Sequence, residues 1–82
     1  MMHDMAATLS DAIATAIRAE MGRQMIRPAE LARRLGRSQP YVDRRLRGAL
    51  SLSDVEDIAG ALGVPVTRFG FNLPSDFDRA AA

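Results

Sequence analysis

Residues 36–48 read GRSQPYVDRRLRG, and this segment is the most informative part of the chain about its structure. A Gly stands at each end, and between them Val42 and Leu46 form an apolar seam at helical spacing. The stretch also carries four Arg and the single Tyr of the chain, Tyr41. A helix with so narrow an apolar seam packs on its domain by one edge. Most of its surface must therefore face solvent or a partner.

Local signals predict a short helix here and a second one directly before it. Ser38 is a favourable N-cap, and Pro40 falls in the first turn, where proline is tolerated. In the preceding segment RPAELARRLG, residues 27–36, Pro28 suits the first helical position. Gly36 is expected to adopt the left-handed conformation that ends this helix. Its predicted inward residues are Leu31, Ala32 and Leu35, and its outward residues are Arg33 and Arg34. Two short helices joined by a tight turn form the helix-turn-helix arrangement.

Helices are also predicted on both sides of this pair. A first helix is expected from Thr8 to Gly22, with Thr8 and Asp11 forming a capping box. A fourth starts at Ser51, with Asp54 in its first turn, and ends at Gly63. A short fifth helix, from Val66 to Phe69, is expected to bring Phe69 against the core. The apolar stripe of the first helix comprises Leu9, Ile13, Ile17 and Met21, with Ala12 and Ala16 beside it.

No β-hairpin or alternating strand pattern is present. We therefore predict an all-α, five-helix domain over residues 8–70. It is expected to lie between a flexible N-terminus, residues 1–7, and a C-terminal tail, residues 71–82.

Charge is distributed unevenly along the chain. The formal net charge is +1, yet residues 23–47 hold eight Arg against Glu30 and Asp43. The remaining residues hold three Arg against eight acidic residues. This asymmetry indicates a localised anion-binding face. The alternative, in which Arg merely decorates solvated helix surfaces, would give more even mixing of the two signs.

Composition argues against several functional classes. The chain has no Cys and a single His, His3, near its N-terminus. We therefore predict no disulfide, no metal site, no cofactor and no catalytic residue, so an enzyme is not expected. No apolar run approaches the length of a membrane span, and the N-terminus lacks the pattern of a secretory signal. A cytoplasmic protein without membrane association is the expectation.

A family resemblance rests on the spacing of residues across this region. Leu31-Ala32 precedes Gly36, Ser38 opens the next helix, Val42 is apolar, and Gly48 closes it. A further amphipathic helix then ends in ALGVP, residues 61–65. In this order the residues resemble the Cro/lambda-repressor (XRE) family of prokaryotic and phage helix-turn-helix proteins, over residues 26–70.

The resemblance implies a five-helix lambda-repressor-like domain with a recognition helix at about residues 38–47. That helix would enter the major groove of double-stranded DNA. A homodimer would bind a palindromic operator and repress transcription, as a phage immunity repressor or Cro-like protein does in a bacterial host cell.

The resemblance also assigns roles to particular side chains. Base reading is carried over to Gln39, Pro40 and Arg44. Gln39 suits adenine and Arg44 suits guanine, each with two hydrogen bonds, whereas Pro40 would touch a thymine methyl group. Contacts to the DNA backbone, or other DNA contacts, are carried over to Arg37, Ser38, Tyr41, Arg45 and Arg47.

Three positions depart from the family pattern. Pro28 stands where a phosphate-binding Gln is usual, and Pro40 cannot donate a hydrogen bond. Arg45 stands where a buried apolar residue is usual, so Leu46 is expected to carry the packing. The acidic Asp43 is expected either to pair with Arg47, four residues on, or to accept from cytosine.

Two other functions stay open at this point. One is an antitoxin-type autorepressor that also binds a protein partner, and the other is a protein-interaction module without DNA binding. For Tyr41, the alternative to DNA contact is that its side chain packs against the domain. Phe71 and Phe77 lie beyond the predicted domain and are candidate homodimer contacts, since exposed aromatic residues favour interfaces.

Overall fold

A left-handed turn at Gly36 joins two short helices in the middle of the chain. The computed structural model describes residues 4–48 and 50–69, with side chains from Leu9 onward. Its elements are α1 (Asp4–Gln24), α2 (Pro28–Leu35), α3 (Gln39–Leu46), α4 (Leu52–Leu62) and a 3₁₀ turn (Val66–Phe69). These two ranges contain no strand, which confirms the all-α prediction. The fifth predicted helix is a single 3₁₀ turn.

The turn between α2 and α3 has the predicted geometry. Gly36 has a φ of 68°, and the Arg37 amide donates to the Ala32 carbonyl at 2.9 Å. A side chain with a Cβ would be strained at this φ, which explains the Gly. Ser38 is the N-cap of α3, and its hydroxyl accepts from the Tyr41 amide at 3.2 Å. The Gly36, Arg37 and Tyr41 amides are therefore all hydrogen-bonded where the chain reverses between α2 and α3.

The core draws on all four helices and the 3₁₀ turn. Val42 and Leu46 of α3 are buried against it, as are Met21 and Phe69, so these four predictions are confirmed. The apolar core consists of Ile13, Ala14, Ile17, Met21, Leu31, Ala32, Val42, Leu46, Val55, Ile58, Ala59, Leu62 and Phe69.

Helix α1 differs from its prediction at its start and along its apolar stripe. It begins at Asp4, so Thr8 is inside the helix and cannot be its N-cap, and residues 4–7 are helical. Leu9 is 56% exposed, whereas Ala14 is buried. Residues at a spacing of four drift around a helix of 3.6 residues per turn, by about 40° at each step. The predicted stripe therefore leaves the core at Leu9, and Ala14 takes the place expected for Ala12.

The end of α1 also differs from its prediction. The helix continues past Gly22 to Gln24, and Met25 then adopts a left-handed φ of 58°. The Ile26 amide closes the turn by donating to the Met21 carbonyl at 2.8 Å. The chain reverses toward α2 at a residue that carries a side chain.

Helix α4 is capped as the sequence suggests. The Ser51 hydroxyl accepts from the Asp54 amide at 3.1 Å, and the Asp54 carboxylate accepts from the Ser51 amide at 2.9 Å. These reciprocal bonds form a capping box. Gly63 ends the helix. None of the helices described here is long and apolar enough to cross a membrane.

Candidate nucleic-acid interface

The exposed side of α3 carries the side chains predicted to read bases. Gln39, Pro40 and Arg44 are all exposed, as is Arg47 at the end of the helix. Pro40, Arg44 and Arg47 share one side because residues three or four apart are neighbours on a helix. Val42 and Leu46, which face the core, hold the opposite side. The helix therefore presents one cationic face away from the domain.

The two arginines of this face lack a carboxylate partner among the described residues. Arg44 has no hydrogen bond or ion pair there. The Arg47 Nε lies 3.4 Å from the backbone carbonyl oxygen of Asp43, which is a weak contact. The predicted pairing of Arg47 with the Asp43 carboxylate is therefore replaced by a contact with the backbone. Both side chains are exposed.

Tyr41 and Arg45 occupy the side of α3 that faces α4. The Tyr41 hydroxyl donates to Asp54 Oδ1 at 3.3 Å, and the Arg45 Nε lies 3.6 Å from Asp54 Oδ2. The guanidinium carbons of Arg37 and Arg45 lie 4.8 and 5.0 Å from the centroid of the Tyr41 ring. These distances are those of cation–π contacts. Tyr41 and Arg45 are thus engaged within the domain, unlike Arg44.

The Asp54 carboxylate contacts residues of both α4 and α3. Burial acts to raise the pKa of Asp54, but the hydrogen bonds from Ser51, the charge of Arg45 and the Tyr41 hydroxyl outweigh it. The pKa therefore lies below the usual 3.8 of an aspartate. At neutral pH this carboxylate is ionised, which strengthens its hydrogen bonds.

Much of the positive charge in residues 23–47 is paired with acidic groups. Glu30 accepts from Arg33 at 2.6 Å and from Arg34 at 3.1 Å, and these bonds lower the pKa of Glu30. Arg23 contacts Glu20 at 2.7 Å. Within the described ranges, the arginines of this segment without a carboxylate partner are Arg27, Arg37, Arg44 and Arg47. Three of these four, Arg37, Arg44 and Arg47, lie in or next to α3.

Arginine and glutamine side chains also cap the ends of helices. The Arg18 Nη2 donates to the Leu46 carbonyl at 3.1 Å, so a side chain of α1 caps the C-terminal end of α3. The Arg34 Nη1 donates to Ala61 O at 3.0 Å, and the Gln24 Nε2 donates to Leu62 O at 2.9 Å, which closes α4. Such bonds satisfy carbonyl groups that a helix end leaves unpaired. The sequence carries no local signal for these contacts, because each partner is at least 27 residues away.

The buried Glu20 is a second feature that the sequence does not predict. It is 4% exposed and accepts from Arg23 and Gln24 of its own helix and from Arg68 of the 3₁₀ turn. The Arg23 and Gln24 hydrogen bonds hold the pKa of Glu20 at about 2, below the usual 4.5. The spacing to Arg23 and Gln24 was visible in the sequence, but the contact with Arg68 was not. Glu20 therefore connects α1 to the 3₁₀ turn and has a structural role.

An open groove of about 470 Å³ lies beside the cationic face, between α2, α3 and α4. Val42 and Ile58 are among its apolar lining residues, and Tyr41, Arg45 and Asp54 also line it. The residues that connect α3 to α4 therefore border this groove. The exposed Arg44 does not line it.

No known protein family, curated protein or solved structure matches this chain. Function is therefore inferred from the helix pair α2–α3 and from the exposed face of α3.

Proposed function

We propose that this chain is a sequence-specific, double-stranded-DNA-binding transcriptional repressor of the Cro/lambda-repressor type. One observation carries the proposal. Helix α3 follows a left-handed turn, buries Val42 and Leu46, and leaves Gln39, Pro40 and Arg44 exposed. A short helix held this way is a suitable reader of the major groove.

The dimensions and chemistry of α3 suit this role. An α-helix with its side chains is about 10–12 Å in diameter, and the major groove is about 12 Å wide. Two of the N–H donors of Arg44 can bond O6 and N7 of guanine, and Gln39 can bond N6 and N7 of adenine. Pro40 supplies an apolar contact for a thymine methyl group. The first and second turns of α3 would therefore discriminate between bases.

Arg37 and Arg47 are proposed to bind phosphates on either side of these base contacts. Both are exposed and lack a carboxylate partner in the described part of the chain. Phosphate contacts orient a protein on the duplex without selecting sequence. They also make affinity fall steeply as salt rises, because bound counterions are released.

Homodimer binding to a palindromic operator belongs to the same proposal, as does the five-helix count of the family. So does action as a phage-type regulator in a bacterial cytoplasm. The candidate dimer contacts Phe71 and Phe77 lie outside the described residues. A two-fold dimer would present two copies of α3 to successive major grooves on one side of the duplex.

The test begins by selecting bound sequences from random double-stranded DNA. Arg44→Ala is expected to weaken binding to the selected site by about 1–3 kcal/mol and to relax the preference at one base pair. Arg47→Ala is expected to weaken selected and random duplexes alike and to reduce the salt dependence. Fluorescence anisotropy titrations at several salt concentrations measure both effects.

Arg33→Ala is the matched control for the loss of one positive charge. Arg33 is exposed, lies on α2 and is paired with Glu30, so its removal should leave the base preference intact. If Arg44→Ala and Arg33→Ala behave alike on the selected site, α3 is not the base-reading element. If the wild-type chain selects no sequence, the repressor proposal fails.

A further inference from the structure

The Asp54 side chain connects α4 to the flank of α3. One carboxylate oxygen receives the Tyr41 hydroxyl at 3.3 Å, and the other lies 3.6 Å from the Arg45 Nε. The second oxygen also accepts from the Ser51 amide at 2.9 Å, within the capping box of α4. The carboxylate is therefore fixed by its own helix before it meets α3.

We propose that Asp54 is a positioning residue for base recognition, which sets the rotation of α3 about its own axis through Tyr41 and Arg45. The inference rests on the proposed function, because the orientation of α3 matters for base reading only if α3 enters the major groove. It gives Tyr41 and Arg45 a role different from the direct DNA contact implied by the family resemblance.

The packing of α3 explains why such a device is needed. Its buried residues, Val42 and Leu46, are four apart and form one narrow seam. A seam of this kind fixes the position of the helix axis but resists rotation about that axis weakly. A rotation of about 10° moves side-chain atoms at the ~6 Å outer radius of a helix by about 1 Å. Displacements of this size are enough to break a pair of hydrogen bonds to one base.

The Asp54 contacts oppose such a rotation. Tyr41 and Arg45 are four residues apart and lie on the same flank, so both contacts pull α3 in the same sense toward α4. The Arg37 and Arg45 guanidinium groups over the Tyr41 ring hold the ring itself in place. Arg44, the neighbour of Arg45 in the sequence, is turned about 100° from it and so points outward.

Tyr41→Phe is the sharpest test, because it removes the hydroxyl but keeps the ring under the two guanidinium groups. A second variant, Asp54→Asn, keeps an acceptor for the Ser51 amide but removes the charge that faces Arg45. Glu56→Gln is the matched control, since it removes an exposed carboxylate from α4 without touching Tyr41, Arg45 or Asp54. The measured quantity is the ratio of affinities for the selected site and for random duplex, at one salt concentration.

We expect Tyr41→Phe and Asp54→Asn each to lower this ratio by about threefold to tenfold, the size of effect expected for one ordinary hydrogen bond. In the double variant Tyr41→Phe/Arg44→Ala, the two losses of affinity ratio should not add, because Tyr41 is proposed to act by orienting Arg44. Glu56→Gln should leave the ratio unchanged.

Two results would overturn the inference, and they are distinguishable. If the wild-type chain prefers its selected site and both variants keep the wild-type ratio, Asp54 has no positioning role and the repressor proposal stands. Direct contact of Tyr41 with phosphate would give this result, since selected and random duplexes would weaken equally. If the wild-type chain shows no sequence preference, both proposals fail.

Discussion

Met25 turns the chain from α1 into α2 with a φ of 58°, and its side chain is 89% exposed. The left-handed conformation costs an L-residue roughly 1–2 kcal/mol, and the exposed side chain recovers little of this by packing. We expect Met25→Gly to raise the free energy of unfolding by about 0.5–1 kcal/mol, after the larger entropy of Gly in the unfolded chain is subtracted. Urea denaturation followed by circular dichroism measures the change.

Met25→Ala is the control, since it removes the same side chain but keeps the Cβ that makes the conformation costly. Its stability should stay close to that of the wild type. Equal stabilities of the Gly and Ala variants would contradict the assignment of strain to Met25.

Single residues also show where sequence reasoning reached its limit within the site. The exposure of Pro40 and Arg44 follows from the position of Val42 and Leu46 on the helix, so the sequence was sufficient for it. Gln39 lies three residues before Val42 and is exposed at the first position of α3. The periodicity also separates Arg44 from Arg45 by about 100°. The contact of Arg45 with Asp54 was not available from the sequence, because it depends on where Asp54 lies in space.

At the scale of the helices, α3 is closed by a side chain from another element. The Arg18 guanidinium donates to the Leu46 carbonyl and places positive charge at the negative end of the α3 dipole. We expect Arg18→Met, which keeps an unbranched apolar side chain, to destabilise the domain by about 0.5–1.5 kcal/mol. Faster hydrogen exchange should appear in the last turn of α3, measured by NMR.

Arg33→Met provides the comparison for Arg18→Met. It removes an arginine that pairs with Glu30 and caps no helix in the described structure. Exchange in the last turn of α3 should remain at the wild-type rate. Similar exchange in both variants would show that the Arg18 contact does not hold α3.

The helices themselves were predictable where short-range signals agree. Pro28, Gly36, Ser38 and Ser51 each act within a few residues of a helix end, and the helix ends they mark were correctly predicted. Helix α1 was less well predicted, because its start has no such signal and its alanines favour a helix wherever they stand. Which residues of α1 are buried depends on how far the other helices extend beside it. The periodicity of α1 carries no information about that extent.

At the scale of the whole molecule, Glu20 connects distant parts of the chain. Its carboxylate contacts Arg23 in α1 and Arg68 in the 3₁₀ turn. The pKa of about 2 lies below the 4.5 usual for a glutamate, so the stability that the ionised group supplies is complete above pH 4.5. This stability is lost as the pH falls from 4.5 to 2.

Glu20→Gln is therefore expected to flatten the fall in the free energy of unfolding between pH 4.5 and pH 2. Above pH 4.5 the wild-type and variant curves should run parallel. Urea denaturation at a series of pH values measures the slopes. Glu56→Gln, which removes an exposed carboxylate from α4, controls for the change in net charge. A wild-type slope retained by Glu20→Gln would contradict the role of this network.

The three-way support of α3 has a consequence for redesign. Helix α3 is contacted by Arg18 of α1 and by Asp54 of α4, and it packs through its own Val42–Leu46 seam. If residues 27–48 were grafted onto an unrelated scaffold, the contacts from Arg18 and Asp54 would be lost. The orientation of α3 would then be less well defined. Exchange of the outward residues within this chain retains all three supports. Under the proposed function, libraries varied at Gln39, Pro40 and Arg44 would therefore be the way to search for new operators while the scaffold is kept.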